Sequence, residues 1–410
     1  MKLSRTSLIV AALVGGLAAG IALRIGFGPD TTVAAVLRPI GTLWLNGLRM
    51  TLVPLVFCLL TAGMAGLAGT AAGSGRQVGV AVGVFLALLV VASIGGALTV
   101  QALALAWPVQ PIGAALAGTA PAAQAAPPDF VAVLVNLVPV NPVAAAAEAA
   151  MAPLIVFAAI FGIAISRLPP APRALLLDFF KAAAGAMLII VGWVLAAAPV
   201  GIFVLSLEAA AGIGVGAALG VAQYVLLLSA TVLVGLVCAL LIGPLSGVAP
   251  ARFFRAALPP QALAASTQSS MACLPVLVEA AEALKLPRAF VGSIMPLAVT
   301  TFRFGNVFGG VAAGIIGANL FGIHPGVGAI ALAILVGVLT NAGSIGLPGA
   351  AVILAAWGPI FTALGAPLEA LTLLIPVFAL PDIVITTCNV TADLGATSLI
   401  ARLTGQEPET

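Results

Sequence analysis

Long apolar runs separated by short breaks dominate the chain. They cover 7–27, 41–69, 78–107, 129–166, 174–206, 215–247, 258–285, 289–322, 327–364 and 366–402, and the breaks between them collect the charges and the prolines. A hydrocarbon core takes about 20 apolar residues per helical crossing. The pattern therefore predicts a polytopic, all-α membrane protein. The first run, Ser7 to Ile25, is longer than the apolar stretch of a secretory leader and has no clean small-residue cleavage site after it, so it reads as the first transmembrane helix. Residues 108–128, rich in Ala, Pro and Gly, read as a loop outside the bilayer. Three runs, 129–166, 258–285 and 327–364, exceed one straight crossing. Each is interrupted: by Val138-Pro139-Val140-Asn141-Pro142, by Ser266-Thr267-Gln268-Ser269-Ser270, and by Thr340-Asn341-Ala342-Gly343-Ser344.

Composition agrees. Of 410 residues, 62% are apolar and 7% charged, with a mean hydropathy of +1.28. Soluble domains carry about 25% charged residues, so an ordinary soluble protein, a coiled coil and a disordered chain are all excluded. A net charge of +3 with no basic run behind it argues against nucleic-acid binding. Cys58, Cys238, Cys273 and Cys388 lie in apolar stretches without metal-type spacing and read as small buried hydrophobes. One His, one Tyr, and no His, Cys or Ser with a paired base speak against an enzyme.

The basic residues fix a topology. The N-terminus is placed inside, and 258–285 and 327–364 are treated as hairpins that return to the side they entered. Then Lys2, Arg5, Arg76, Arg167, Arg173, Arg252, Arg255, Lys285, Arg288 and Arg402 all fall on the cytoplasmic side, and only Arg24 and Arg38 fall outside. This is a strong positive-inside bias. A full crossing by 258–285 would put Lys285 and Arg288 outside, so the charges themselves argue for re-entry. The two hairpin tips also resemble one another: Ser269-Ser270-Met271-Ala272-Cys273-Leu274-Pro275 and Ser344-Ile345-Gly346-Leu347-Pro348-Gly349. Paired interruptions in corresponding positions of two halves point to a transporter site, because non-helical backbone survives at membrane depth only inside protein or along a cavity. Two ordinary kinked helices are the competing reading.

The last run carries the candidate chemistry. Asp382, Thr386, Asn389 and Asp393 sit at i, i+4, i+7 and i+11, which puts them on one helical face. Two carboxylates on a membrane helix cost several kcal/mol unless partnered. The basic residue well inside a late run is Arg303, in Thr301-Phe302-Arg303-Phe304-Gly305-Asn306. Two Asp and one Arg leave about one negative charge, which invites a monovalent cation, a proton or a substrate ammonium. An inert ion pair between Arg303 and one Asp, or a solvated Asp393, would be the purely structural alternative.

These motifs resemble the dicarboxylate/amino acid:cation symporter family, which includes the glutamate transporters, over almost the whole chain. Arg49-Met50-Thr51-Leu52-Val53-Pro54-Leu55-Val56-Phe57 resembles the second-helix signature, Pro139-Val140-Asn141-Pro142 the fourth helix, and Ala198-Pro199-Val200-Gly201-Ile202-Phe203 the fifth. Gln268 to Pro275 is similar to the serine-rich first hairpin tip, Gly346-Leu347-Pro348-Gly349-Ala350 to the second, and Asp382 to Asp393 to the eighth helix. The resemblance implies eight transmembrane helices plus two re-entrant hairpins in inverted repeats. It implies a homotrimer in the inner membrane with both termini cytoplasmic, each protomer moving its core like an elevator. It places scaffold and trimerisation helices mainly in 1–77 and 129–247, with 78–107 and 207–247 partly in the transport domain. The transport core would be 250–402: hairpin 258–285, helix 289–322, hairpin 327–364 and helix 366–402. The substrate contacts it implies are Ser269, Ser270, Gly346, Pro348, Gly349, Asp382 for an amino group, Thr386 and Asn389, with Arg303 added as a candidate. The cation ligands it implies are Asn389, Asp393, Asn341 and Ser344.

The departures are specific. The family's Asn-Met-Asp-Gly-Thr motif is here Phe302-Arg303-Phe304-Gly305-Asn306, so its Asn and Asp are both Phe and the sodium site they serve is expected to be absent. The arginine that clamps an acidic side chain is missing from both its usual places, which hold Ile385 and Gln268. Arg303 could clamp a substrate carboxylate, stand in for a coupling cation, or pair with Asp382 or Asp393. The expected activity is symport of a small carboxylate-bearing solute, an amino acid first and a C4-dicarboxylate second, with sodium or a proton. No other cofactor is expected. An anion-conducting channel or a non-transporting sensor on the same fold is the reading from another class.

Overall fold

The computed structural model describes residues 5–28, 32–73, 75–111, 135, 137–343 and 353–406. The described residues form helices and no strands. In chain order they are α1 (Arg5–Phe27), α2 (Thr32–Gly73), α3 (Gly75–Ala106), α4 (Pro142–Ala147), α5 (Met151–Ser166), α6 (Pro170–Ala196), α7 (Ala198–Ile213), α8 (Val215–Leu245), α9 (Pro250–Thr267), α10 (Leu274–Ala283), α11 (Arg288–Thr301), α12 (Phe304–Leu320), α13 (Val327–Gly343), α14 (Gly358–Ala363), α15 (Leu368–Thr372) and α16 (Ala379–Leu403). Most of the expected 108–128 loop lies outside the described residues.

Which helix ends meet tests the crossing parity read from the charges. Arg24, at the end of α1, donates to the carbonyls of Ala211 (3.2 Å) and Gly212 near the end of α7. Gln223, at the start of α8, donates to Pro108 O (2.8 Å) beyond the end of α3. Arg402, at the end of α16, donates to Leu245 O (2.9 Å) at the end of α8. Each pair belongs to one membrane face in the predicted topology. The first hairpin is equally direct: Arg252, in the first turn of α9, donates to Ala283 O (2.8 Å) at the last residue of α10. Two arms whose far ends touch run antiparallel and return to one side. In the second hairpin Thr340 Oγ1 of α13 donates to Ala356 O (3.2 Å), which aligns its arms in the same way.

The pattern hid four breaks. Within the run 129–166 a helix starts at Pro142, with the Asn141 side chain accepting from Val143 N (3.0 Å) and Ala144 N (3.2 Å), and the run breaks again between α4 and α5, where Ala149 takes φ +52°. The run 174–206 divides at Ala197, because Pro199 lacks the N–H that a continuing helix would need, and its second half extends to Ile213. The run 289–322 is not one helix: Phe302 (φ −100°, ψ 93°) and Arg303 (φ −109°, ψ 67°) are extended between α11 and α12. The run 366–402 opens as the short α15, passes through turns at 373–378, and becomes helical again at Ala379. Each re-entrant hairpin is therefore followed by an interrupted crossing, once from each face of the membrane, which is the inverted-repeat pattern.

The late elements form the buried centre. α12 is buried along nearly its whole length, packed against α3, α8 and α16. Phe308 is its wedge. A Cβ on Gly95 of α3 would sit 2.8 Å from that ring, and one on Gly235 of α8 would sit 3.0 Å from it. Only glycine leaves the ring room on both sides, and that close packing locks α3 and α8 onto α12.

Candidate functional site

The site is built where α12 begins. A helix that starts inside the bilayer exposes backbone N–H groups with no partner of their own. Here the carboxamide of Asn389, on α16, supplies one: its Oδ1 accepts from Gly305 N (2.7 Å) and Asn306 N (3.3 Å). The contact requires glycine at 305, since a Cβ there would lie 2.5 Å from Ile385 O and 2.9 Å from Cys388 Cβ. Trp357, at the start of the second hairpin's return arm, donates from Nε1 to Asn306 O (3.0 Å). At the first hairpin, Gln268 takes a left-handed conformation (φ 52°) and donates to Ala379 O (2.7 Å) at the first residue of α16. Hairpin 1, the α11–α12 break, hairpin 2 and α16 thus converge through four hydrogen bonds.

The face expected on the last helix is present. Asp382, Thr386, Asn389 and Asp393 all lie on α16. Asp382 is in the first helical turn, half-buried, and accepts from Thr386 Oγ1 (3.3 Å). Asp393 is fully buried, and among the described residues neither of its carboxylate oxygens has a hydrogen-bond partner. Arg303 is not on a helix but in the extended link, half-buried, with Asp393 and Asp382 as its electrostatic neighbours. Its Nε is buried without a hydrogen-bond partner, and the ion pairs among the described residues do not include it. The inert ion pair is thus not formed.

Phe302 and Phe304 sit where the family motif carries polar residues. Both are buried, and Phe85, Phe302, Phe304 and Phe308 form a continuous aromatic column with centroid spacings of 5.0, 6.1 and 6.2 Å. Such a column offers no oxygen to a cation. Ser269 and Ser270 lie half-buried at the first hairpin tip, where Ser269 Oγ accepts from Ala272 N (3.3 Å). Asn341 is buried at the end of the second hairpin's entry arm, with Nδ2 donating to Gly337 O (2.9 Å). Ser344, Gly346, Pro348 and Gly349 lie outside the described residues. Cys58, Cys273 and Cys388 are buried and Cys238 half-buried, all as free thiols. Sequence reasoning missed Trp357, the capping role of Asn389 and the break itself. The one signal for the break was a cluster of weak helix formers, Thr300-Thr301 before it and Gly305-Asn306 after it, in mid-run.

Gly305→Ala should destabilise the protein by about 1–3 kcal/mol, because the methyl meets backbone and cannot be accommodated by a rotamer change. Gly292→Ala, with open space around its Cα, is the matched control and should be neutral or slightly stabilising. Melting temperatures of the two variants in one detergent check this; equal values would contradict the proposed tightness of the α12–α16 contact.

Comparison with known proteins agrees with this architecture. Residues 6–403 match the sodium:dicarboxylate symporter family. Among curated relatives, a proton/glutamate-aspartate symporter of Escherichia coli (strain K12) is 29% identical, over 91% of this chain and 86% of its own length. A C4-dicarboxylate transport protein of Azorhizobium caulinodans is 27% identical over 82% of this chain and 76% of its own length. The neutral amino acid transporter A of Bos taurus is 27% identical over 95% and 80%. These are transporters, not enzymes. With paired hairpins, interrupted crossings and a profile match over almost its entire length, this chain belongs to the sodium:dicarboxylate symporter family.

Proposed function

We propose that the protein is a secondary active symporter that carries an amino acid across the inner membrane together with one monovalent cation, sodium or a proton. The observation that carries this reading is the charge set at the α11–α12 break: one guanidinium and two carboxylates, buried or half-buried and without ion pairs among themselves. Uncompensated charge at membrane depth costs several kcal/mol. A zwitterion leaves the single surplus negative charge in place, and one cation closes it. A C4-dicarboxylate dianion would raise the surplus to three, so an amino acid is favoured over that alternative.

In this reading Asp382 binds the substrate ammonium, with Thr386 beside it as a further substrate contact, and Ser269, Ser270 and the second hairpin tip complete the pocket. Asp393, fully buried with oxygens that have no hydrogen-bond partner among the described residues, is the cation ligand, and Asn341 of the second hairpin is a further candidate ligand. Asn389 contributes by capping α12. Two bodies are proposed. A scaffold contains α1, α2 and α4 to α7. A mobile core contains the hairpins, α11, α12, α15 and α16, with α3 and α8 packed on it. The core slides against the scaffold to expose the site alternately, and three protomers assemble through their scaffolds. A channel or a sensor would need no coupled pair of charges and is not favoured.

Asp382→Asn should abolish amino-acid binding while leaving the protein folded. Thermal shift with L-alanine, L-aspartate and succinate as probes reads this, since ligands stabilise by mass action. Normal amino-acid stabilisation in the mutant, or a wild type that responds to succinate alone, would contradict the assignment. Arg303 has two roles open to it, and the bare Asp393 facing it supports the second as well as the first. As a carboxylate clamp, Arg303→Met loses affinity at every sodium concentration. As a tethered cation, Arg303→Met becomes sodium-dependent and recovers affinity at high sodium. Unchanged transport and unchanged ion dependence would reject both.

A further inference from the structure

We propose that the ion pair between Arg49 and Glu369 is a latch that holds the mobile core against the scaffold at one end of its travel. The inference rests on the two-body reading above and adds to it the contact that sets where the core stops.

Both bodies are tied internally. In the scaffold, Trp44 of α2 donates from Nε1 to Val194 O of α6 (2.9 Å), and Arg38 of α2 pairs with Glu208 of α7. In the core, Tyr224 of α8 donates to Ala313 O of α12 (3.0 Å), Gln261 of α9 donates to Thr391 Oγ1 of α16 (2.9 Å), and Trp357 holds Asn306. Three ion pairs are formed among the described residues. Arg38–Glu208 stays within the scaffold, and Arg288–Glu282 stays at the base of the first hairpin. Arg49–Glu369 joins α2 to α15 and is the one that crosses.

Its register is informative. By crossing parity, the start of α2 and the turn carrying Glu369 belong to the same membrane face. The apolar span of α2 begins at Val36, so Arg49 lies about 20 Å further along the helix axis at 1.5 Å per residue. Glu369 nevertheless meets it there. The end of the core that carries Glu369 is therefore sunk well along the scaffold helix rather than level with its start. The neighbouring contact agrees: a Cβ on Gly358 of α14 would lie 2.7 Å from Leu52 Cδ1, one turn beyond Arg49. Behind it, Thr372 and Leu373 of the core share a small void with Leu13 of α1 and Ile202 and Ser206 of α7.

The pair is built to break and reform. The Arg49 and Glu369 side chains retain 45% and 24% exposure, so the attraction is screened and moderate. The second carboxylate oxygen of Glu369 is buried, with no hydrogen-bond partner among the described residues. Without Arg49 the carboxylate would face this position with no counter-charge, and the docked state would lose its advantage.

The test uses the full-length protein in lipid nanodiscs, without solute, with spin labels at Leu43 of α2 and Leu380 of α16, both exposed, in a cysteine-replaced background. Pulsed dipolar distances report the ratio of docked to displaced core. Glu369→Gln and Arg49→Gln should each lower that ratio about two- to fivefold, the range of a partly exposed pair. The exchange Arg49→Glu with Glu369→Arg should restore it, and Arg49→Lys should fall between. Unchanged ratios in both single variants overturn the latch, as does a shift that the exchange and Arg49→Lys both fail to relieve. A single narrow distance in the wild type, identical with and without saturating sodium and unchanged between acidic and alkaline pH, overturns the two-body reading itself.

Discussion

A transmembrane helix can stop inside the bilayer only where other groups take over the hydrogen bonds it gives up. The α11–α12 break is that point in this protein, and much of the core is arranged around it. Asn389 caps the new helix start, Trp357 takes the carbonyl of Asn306, and Gly305 lets α16 come close enough for the first of these. The same break removes Arg303 from a helical face and sets it in an extended link, with its Nε buried and unbonded. Through that cap, α12 is tied at its start to α16 by Asn389 and to the second hairpin's return arm by Trp357.

From that arrangement the charge logic follows. The aromatic column from Phe85 to Phe308 fills one side of the break with apolar volume, and the proposed symport therefore assigns the cation to the Asp393 side. There the carboxylate is buried and bare. A fixed guanidinium facing two carboxylates leaves room for one further positive charge at low cost, and each extra negative charge on the solute demands another. Solute choice and ion count are then two readings of one electrostatic balance.

Much of this was legible in the sequence because charge placement constrains topology more tightly than hydropathy does. Lys285 and Arg288 forced the first hairpin to turn back, and the Arg252–Ala283 contact closes it as required. The face Asp382–Thr386–Asn389–Asp393 followed from spacing alone and lies on one helix. The breaks at Ala197 and at Phe302–Arg303 were not legible. Their flanks are as apolar as any continuous crossing, and the groups that stabilise the second break, Asn389 and Trp357, come from 84 and 51 residues away. A local pattern cannot register a partner supplied by tertiary structure. The Arg49–Glu369 contact was hidden for the same reason, since its residues lie 320 positions apart.

The most direct measurement is the reversal potential of solute-coupled current in liposomes holding the purified protein, with sodium and proton gradients varied independently. The charge balance at the break predicts one cation per zwitterionic amino acid and two per acidic one. Three or more cations per zwitterion, or solute flux that ignores both gradients, would contradict it.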